Sequence, residues 1–145
     1  MKIELARQLF AKYPALFTLK DSPHYSIGVK CEFYEGIDCR DGWYDHLDRT
    51  FAAIQQAVQA GAPQPAIQQV SQKFGRLKLG LGFIENEEIR QIKRDAEKES
   101  LTICEFCGQP GTLTDGCGLV VACPEHRSDF AKDIDPKTIF RDIEQ

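Results

Sequence analysis

The chain has 145 residues, with 18 Lys and Arg against 22 Asp and Glu and a formal charge of −4. That length supports one domain with a buried core, and that charge gives no general attraction to nucleic acid or to an anionic membrane. No apolar run approaches the roughly 20 residues that cross a bilayer, so no membrane partner is expected. The charge is uneven: residues 1–100 carry 14 groups of each sign, while residues 101–145 carry 4 basic and 8 acidic groups.

Leu5, Ala6, Leu9, Phe10 and Tyr13 recur at helical spacing and predict a helix over 2–13, stopped by Pro14. This segment carries Glu4 and lacks a long apolar core, so it does not read as a signal peptide. Ile27, Val29, Cys31 and Phe33 alternate with Gly28, Lys30, Glu32 and Tyr34, which predicts a half-buried strand over 26–34 with Cys31 on the apolar face. Trp43, Tyr44, Leu47, Phe51, Ile54 and Val58 form the longest apolar stripe. They predict a core helix capped by Asp41 and ended by Gly61. Asp45, Asp48 and Arg49 fall on its solvated face, and His46 is expected to show an exposed imidazole. Ile67, Val70 and Phe74 have helical spacing and suggest a short helix ending at Gly75. Leu77, Leu79, Leu81 and Phe83 then alternate with Arg76, Lys78, Gly80 and Gly82. This second strand is expected to pair with 26–34 beneath a helical hairpin of 43–74. Asn86 caps a third helix, with Glu87 and Glu88 in its first turn and Ile89, Ile92 and Ala96 facing inward, running to about Ser100. Asp135-Pro136 reads as the start of a short terminal helix with Ile139, Phe140 and Ile143 on its apolar side.

The most specific signal lies between Cys104 and His126. Cys104-Glu-Phe-Cys107 and Cys123-Pro-Glu-His126 form two pairs separated by fifteen residues. Two ligands separated by two residues reach one tetrahedral ion, and a second pair completes the set, so Cys104, Cys107, Cys123 and His126 are the expected ligands of one structural Zn²⁺. Gly108 supplies the tolerance for positive φ that a knuckle needs. A hairpin turning at Asp115-Gly116 and a helix starting at Cys123 would complete a treble-clef-like finger. Cys117 either replaces His126 or is a small buried hydrophobe, and the complete paired spacing favours the second. From Ile103 to Glu125 there is no Lys or Arg, so the finger offers no cation to a phosphate. The expected architecture is α+β: a small antiparallel sheet covered by helices over 1–100, a zinc finger packed on it over 101–130, and a short helix or tail over 131–145.

Other constellations are weaker. Lys73, Arg76, Lys78, Arg90, Lys93 and Arg94 suggest a patch for a partner or a phosphate, set against a solvated face whose charges are offset nearby. His24, Cys31, Cys39 and His46 have spacings that match no common metal site, and Cys39 with His46 lacks any oxyanion-hole signature of a nucleophile and base. No enzyme is expected.

Four stretches carry a resemblance: Gly42-Trp43-Tyr44-Asp45-His46-Leu47, Val70 to Leu77 (with Lys73-Phe74-Gly75), Ser100 to Gly111 through Cys104-Glu-Phe-Cys-Gly-Gln-Pro-Gly111, and Cys123-Pro-Glu-His126. Together they resemble a family of small uncharacterised zinc-finger proteins of bacteriophages and prophages, over roughly residues 30–127. The chain departs from that family where Gly116 is followed by Cys117 rather than Trp. The resemblance implies the same four zinc ligands and a bacterial, cytoplasmic, mobile-element setting, and it implies no activity. The expected function is a protein–protein interaction module that modulates a host or defence complex, with a host or phage protein as partner. A nucleic-acid-binding regulator using residues 73–98 is the alternative.

Overall fold

Phe74 and Gly75 decide the middle of the chain. Their φ angles are 55° and 81°, the left-handed values that a two-residue hairpin turn needs at both central positions. The computed structural model describes residues 1–17, 37–82 and 84–144. In it, β1 (Ile67–Lys73) and β2 (Arg76–Leu81) flank that turn as an antiparallel pair. The helix expected over 67–74 is therefore a strand. Its helical spacing has a physical origin: the register shifts between Ile67 and Gln69, and one extra residue in a bulge places Ile67 and Val70, three apart, among the same core residues.

The fold is α+β. Among the described residues there are three α-helices, α1 (Ile3–Lys12), α2 (Tyr44–Gln59) and α3 (Glu87–Glu99). A second antiparallel sheet has the order β4-β3-β5, with β3 at Thr112–Asp115, β4 at Leu119–Ala122 and β5 at Lys132–Asp133. The predicted strand 26–34 lies outside the described residues, as do His24, Cys31 and Phe83. Among the described residues both edges of β2 have partners. One edge carries β1, and on the other Ser100 Oγ accepts the Leu77 N–H at 2.9 Å while Glu97 Oε1 accepts the Leu79 N–H at 2.9 Å. Side chains of the α3 terminus thus close an edge that would otherwise invite another strand.

The main core joins α1, α2 and the first hairpin. Leu9, Leu16, Trp43, Leu47, Phe51, Ile54, Ile67 and Leu79 are fully buried within it, each worth about 1.5–3 kcal/mol of apolar transfer. The α2 stripe is where the periodicity placed it. Its start differs: a 3-10 turn, Asp41–Trp43, precedes the helix, and the Asp41 carboxylate accepts the Lys2 N–H at 2.8 Å instead of capping α2. Asp48 is less solvated than its position on the polar face suggested, because Tyr13 Oη and Lys12 Nζ both donate to it, at 2.6 and 2.8 Å. Asn86 does cap α3, accepting the Ile89 N–H at 3.0 Å.

A second, smaller core holds Leu101, Leu113 and Val121, with Ile134, Ile139, Phe140 and Ile143 packed against it. The predicted terminal helix is reduced to two 3-10 turns, Pro136–Thr138 and Arg141–Glu144, the first capped as expected by Asp135. Arg76 pins this tail with two bonds to Asp142 at 2.8 and 2.7 Å and lies over the Phe140 ring.

His46 corrects another expectation, since the imidazole is 2% exposed. It faces α3, where Nε2 lies 2.8 Å from the Ala96 carbonyl oxygen and donates to it when neutral. Among the described residues Nδ1 has no hydrogen-bond partner, with Glu99 3.8 Å away and Arg49 also reaching Glu99. Burial holds the His46 pKa below its ordinary value, against the pull of the Ala96 carbonyl and Glu99. The unfolded chain then takes up the proton first as pH falls, so the contribution of this group to stability is lost below about pH 6.5. Comparing melting temperatures at pH 7.5 and 5.5 should show a larger acid loss in the wild type than in His46→Gln, which keeps a donor for Ala96. Equal losses would place the acid sensitivity elsewhere.

Candidate metal centre

The chain approaches the cluster as a narrow hairpin. Ile103 bridges Pro110, Gly111 donates to the Thr102 carbonyl at 2.9 Å, and Cys104 donates to the Gln109 carbonyl at 2.7 Å. At the tip, Gly108 takes φ +79° and its N–H closes onto the Cys104 carbonyl at 2.9 Å. That turn is the knuckle, and it aims Cys104 and Cys107 to one side. β3 and β4 then carry the chain out and back, joined by Gly116-Cys117-Gly118, and β4 ends beside the knuckle at Cys123. The Glu105 N–H donates to the Val121 carbonyl at 2.9 Å, which fixes the knuckle on β4. Cys123 opens a single turn in which His126 and Arg127 both donate to its carbonyl at 3.0 Å. The helix expected here is this one turn, which suffices to place two ligands three residues apart on one side.

The ligand atoms of Cys104, Cys107, Cys123 and His126 all lie within 4.8 Å of one another. Cys107 Sγ is 3.7 Å from Cys123 Sγ, and His126 Nδ1 is 3.1 Å from Cys123 Sγ and 3.8 Å from Cys104 Sγ. Cys104 and Cys123 are buried, whereas Cys107 and His126 reach the surface. Burial alone would push the Cys104 thiol up, but hydrogen bonds from the Cys123, Cys107 and Phe106 backbones outweigh it and leave the pKa lowered. His126 lowers that of Cys123. At Cys107 the Gln109 backbone pulls the thiol down, but desolvation and the contacts with Cys104 and Cys123 outweigh it and leave the pKa raised. Three sulfurs, two of them shifted toward the thiolate, and one imidazole make a donor set fit for a metal ion.

The knuckle is docked on the start of the core helix by its backbone. The Gly42 N–H donates to the Glu105 carbonyl at 2.9 Å, and the Trp43 indole N–H donates to the Ile103 carbonyl at 3.0 Å. There is no room for a side chain at Gly42. A Cβ there would meet Cys104 O at 2.5 Å, Cys107 N at 2.6 Å and Glu105 O at 2.6 Å. Around the rim, the Phe106 ring stacks parallel to the His126 imidazole at 5.4 Å, and the Arg40 guanidinium lies over Phe106 at 4.4 Å. This stack orients the His126 imidazole and sets a guanidinium near the sulfur cluster. Sequence reasoning missed it, because Arg40 and Phe106 are 66 positions apart and neither is a ligand. The Glu105 carboxyl is buried; burial raises its pKa, and the Arg40 N–H and Gln72 amide donate to it at 3.3 and 3.4 Å.

Cys117 is exposed and outside the cluster. It is therefore neither a ligand nor a buried hydrophobe, because the three-residue hairpin loop holds it away from both. Cys39 is buried rather than on the surface, and desolvation pushes its thiol up to about 12, far from a reactive thiolate. It lies beside Met1, whose ammonium donates to the Cys39 carbonyl, while His46 turns to α3. Four of the six basic residues singled out in the sequence are paired with carboxylates. Arg90 and Arg94 reach Glu87, Lys93 pairs with Glu97 at 2.9 Å, and Arg76 holds Asp142. Lys73 and Lys78 are exposed on the first hairpin. No family model, curated protein or solved structure matches the chain. No helix among the described residues is long and apolar enough to cross a membrane.

Cys104→Ser is expected to abolish metal binding, while Cys117→Ser should leave both metal content and melting temperature unchanged; metal analysis of the purified variants checks both. Gly42→Ala should cost on the order of 3 kcal/mol, because three backbone atoms must give way, and chemical denaturation would measure it.

Proposed function

We propose that the chain is a small protein–protein interaction module whose finger is clamped by one structural Zn²⁺. Zinc–thiolate bonds of about 2.3 Å set tetrahedral sulfur–sulfur edges of about 3.8 Å, and the 3.7 Å between Cys107 and Cys123 supports that ion. Four protein donors leave no position for a reacting water, which is the pattern of a structural rather than a catalytic zinc. Zinc binding would tie the knuckle, the β3–β4 hairpin and the Cys123 turn together around a small apolar core, so metal loss is expected to loosen that region.

Phe74 carries the interaction reading. It is 65% exposed and holds φ 55°, a conformation that costs a bulky residue about 1–2 kcal/mol. Asn or Gly would satisfy the same turn without that cost. An aromatic ring held out to solvent at the expense of stability marks a contact site better than an isolated surface apolar residue does. The acidic C-terminal third and the internally paired arginines support a protein rather than a nucleic acid as partner. The motif likeness supports a phage-type accessory role against a host or phage protein in the bacterial cytoplasm.

The test is affinity capture from bacterial lysate with metal-loaded wild type and Phe74→Asn, at low and high salt with nuclease. A discrete protein retained through nuclease and salt by the wild type, and lost from Phe74→Asn, is the expected result. The variant should also melt higher, by roughly 0.5–1 kcal/mol in stability. Recovery of nucleic acid alone, falling steeply with salt, would move the function to Lys73 and Lys78. Equal capture of the same protein by both forms would remove Phe74 from the interface.

A further inference from the structure

The knuckle, the β3–β4 hairpin and β1 enclose a cleft of about 660 Å³ beside the metal cluster, within the size range of small-ligand sites. Its polar groups are unequally satisfied. The Arg127 guanidinium is bonded to Asp133 at 3.0 Å and to the Ala131 carbonyl at 2.9 Å. Arg40 lies flat on Phe106 with its Nε 4.0 Å from Glu105. The Met1 ammonium donates to the Ile37 and Cys39 carbonyls. Arg127 and the Met1 ammonium therefore have partners of their own, and Arg40 shares Glu105 only at long range.

The acceptors are less well met. Glu105 has a side chain only 4% exposed, yet among the described residues its oxygens receive just two long bonds, 3.3 Å from the Arg40 N–H and 3.4 Å from Gln72. A buried carboxylate offers about four acceptor positions, so lone pairs remain for a donor entering the cleft. Gln72 is itself held in place by its 2.8 Å bond to the Leu119 carbonyl. Asp38, an exposed residue, also lines the cleft. Leu119 and Val120, both half-buried, add apolar surface to the lining. A buried, under-bonded carboxylate, apolar surface and a second acidic residue match one kind of chemical group.

We infer that this cleft binds an ammonium or guanidinium group carried on an alkyl stem, with the Glu105 carboxylate as its acceptor, Leu119 and Val120 along the stem, and Asp38 as a second acidic residue. This chemistry is shared by a Lys or Arg side chain of a bound polypeptide and by a free polyamine. The charge-assisted bond to a buried carboxylate supplies the specificity, and the stem packs as long basic side chains do on apolar surface.

The test is titration of the metal-loaded, full-length protein, followed by NMR of backbone amides. The probes are N-acetyl-lysine methylamide, N-acetyl-arginine methylamide and spermidine, with N-acetyl-norleucine methylamide as the uncharged control. Saturable shifts at Gln72, Glu105 and Leu119 with at least one cationic probe, and not with the control, are expected. Glu105→Gln should weaken that binding at least tenfold while keeping an acceptor for the Arg40 N–H. Asp38→Asn, at an exposed position, should weaken it less, by about two- to fivefold, and provides a second reading if the first variant folds poorly. Tighter binding of an amino-acid probe would assign the cleft to a basic side chain of a partner, and tighter binding of spermidine to a polyamine. The inference is overturned if no cationic probe saturates, if the control binds equally well, or if both variants bind as the wild type does.

Discussion

The contact between Gly42-Trp43 and the knuckle is the constraint on which the rest depends. A cysteine knuckle has a tight backbone and little apolar surface of its own, so it cannot be held by side-chain burial alone. Here it is held by main-chain contact. Gly42 lets two backbones approach until no Cβ fits between them, and its N–H takes the Glu105 carbonyl. Trp43 adds the indole bond to Ile103 from within the main core, where the ring is fully buried. One dipeptide therefore belongs both to the start of the central helix and to the seat of the Cys/His cluster. Order in the cluster and order at the head of α2 are physically the same order.

The remaining polar groups complete this interlock. Side chains or knuckle backbone close an edge of each sheet. Ser100 and Glu97 cap β2, and Gln72 and the Glu105 N–H cap β4 at Leu119 and Val121. Asp38 bridges the outer side of β1, donating to Val70 and accepting from Gln72, both at 2.9 Å. Arg76 fastens the tail across β2 and α3 through Asp142 and Glu97. Four of the basic residues that in sequence look like a patch, Arg76, Arg90, Lys93 and Arg94, pair with carboxylates of the same chain, while Lys73 and Lys78 stay exposed. The groups left over are unusual in kind: an aromatic ring on a left-handed turn, and a buried carboxylate facing a cleft.

How much of this was legible in the sequence depended on whether the signal was local. α3 was readable because its cap, Asn86, its first-turn acids and its apolar stripe are all neighbours, and the cluster was readable because ligand spacing is a local property. β1 was misread because a bulge makes residues three apart share a face, which imitates a helix, and because Phe74 at a positive φ gives no compositional warning. His46 was misread because its burial depends on α3, fifty residues away. Asp41 looked like a helix cap and instead binds the Lys2 N–H, a partner that only the folded chain supplies. The docking role of Gly42 was invisible for the same reason. A glycine before a tryptophan reads as a helix start, and only the juxtaposed carbonyls of Cys104 and Glu105 show why no other residue fits.

The most direct measurement is amide hydrogen exchange on the metal-loaded protein before and after chelation. If the knuckle and the head of α2 are one ordered unit, stripping the metal removes protection from residues 102–123 and also from Gly42 and the first turn of α2. The β1–β2 hairpin and the later turns of α2, held by the main core, stay protected. If the finger loses protection while Gly42 and the start of α2 keep theirs, or if chelation changes neither, the metal cluster and the core helix are independent and the account is wrong.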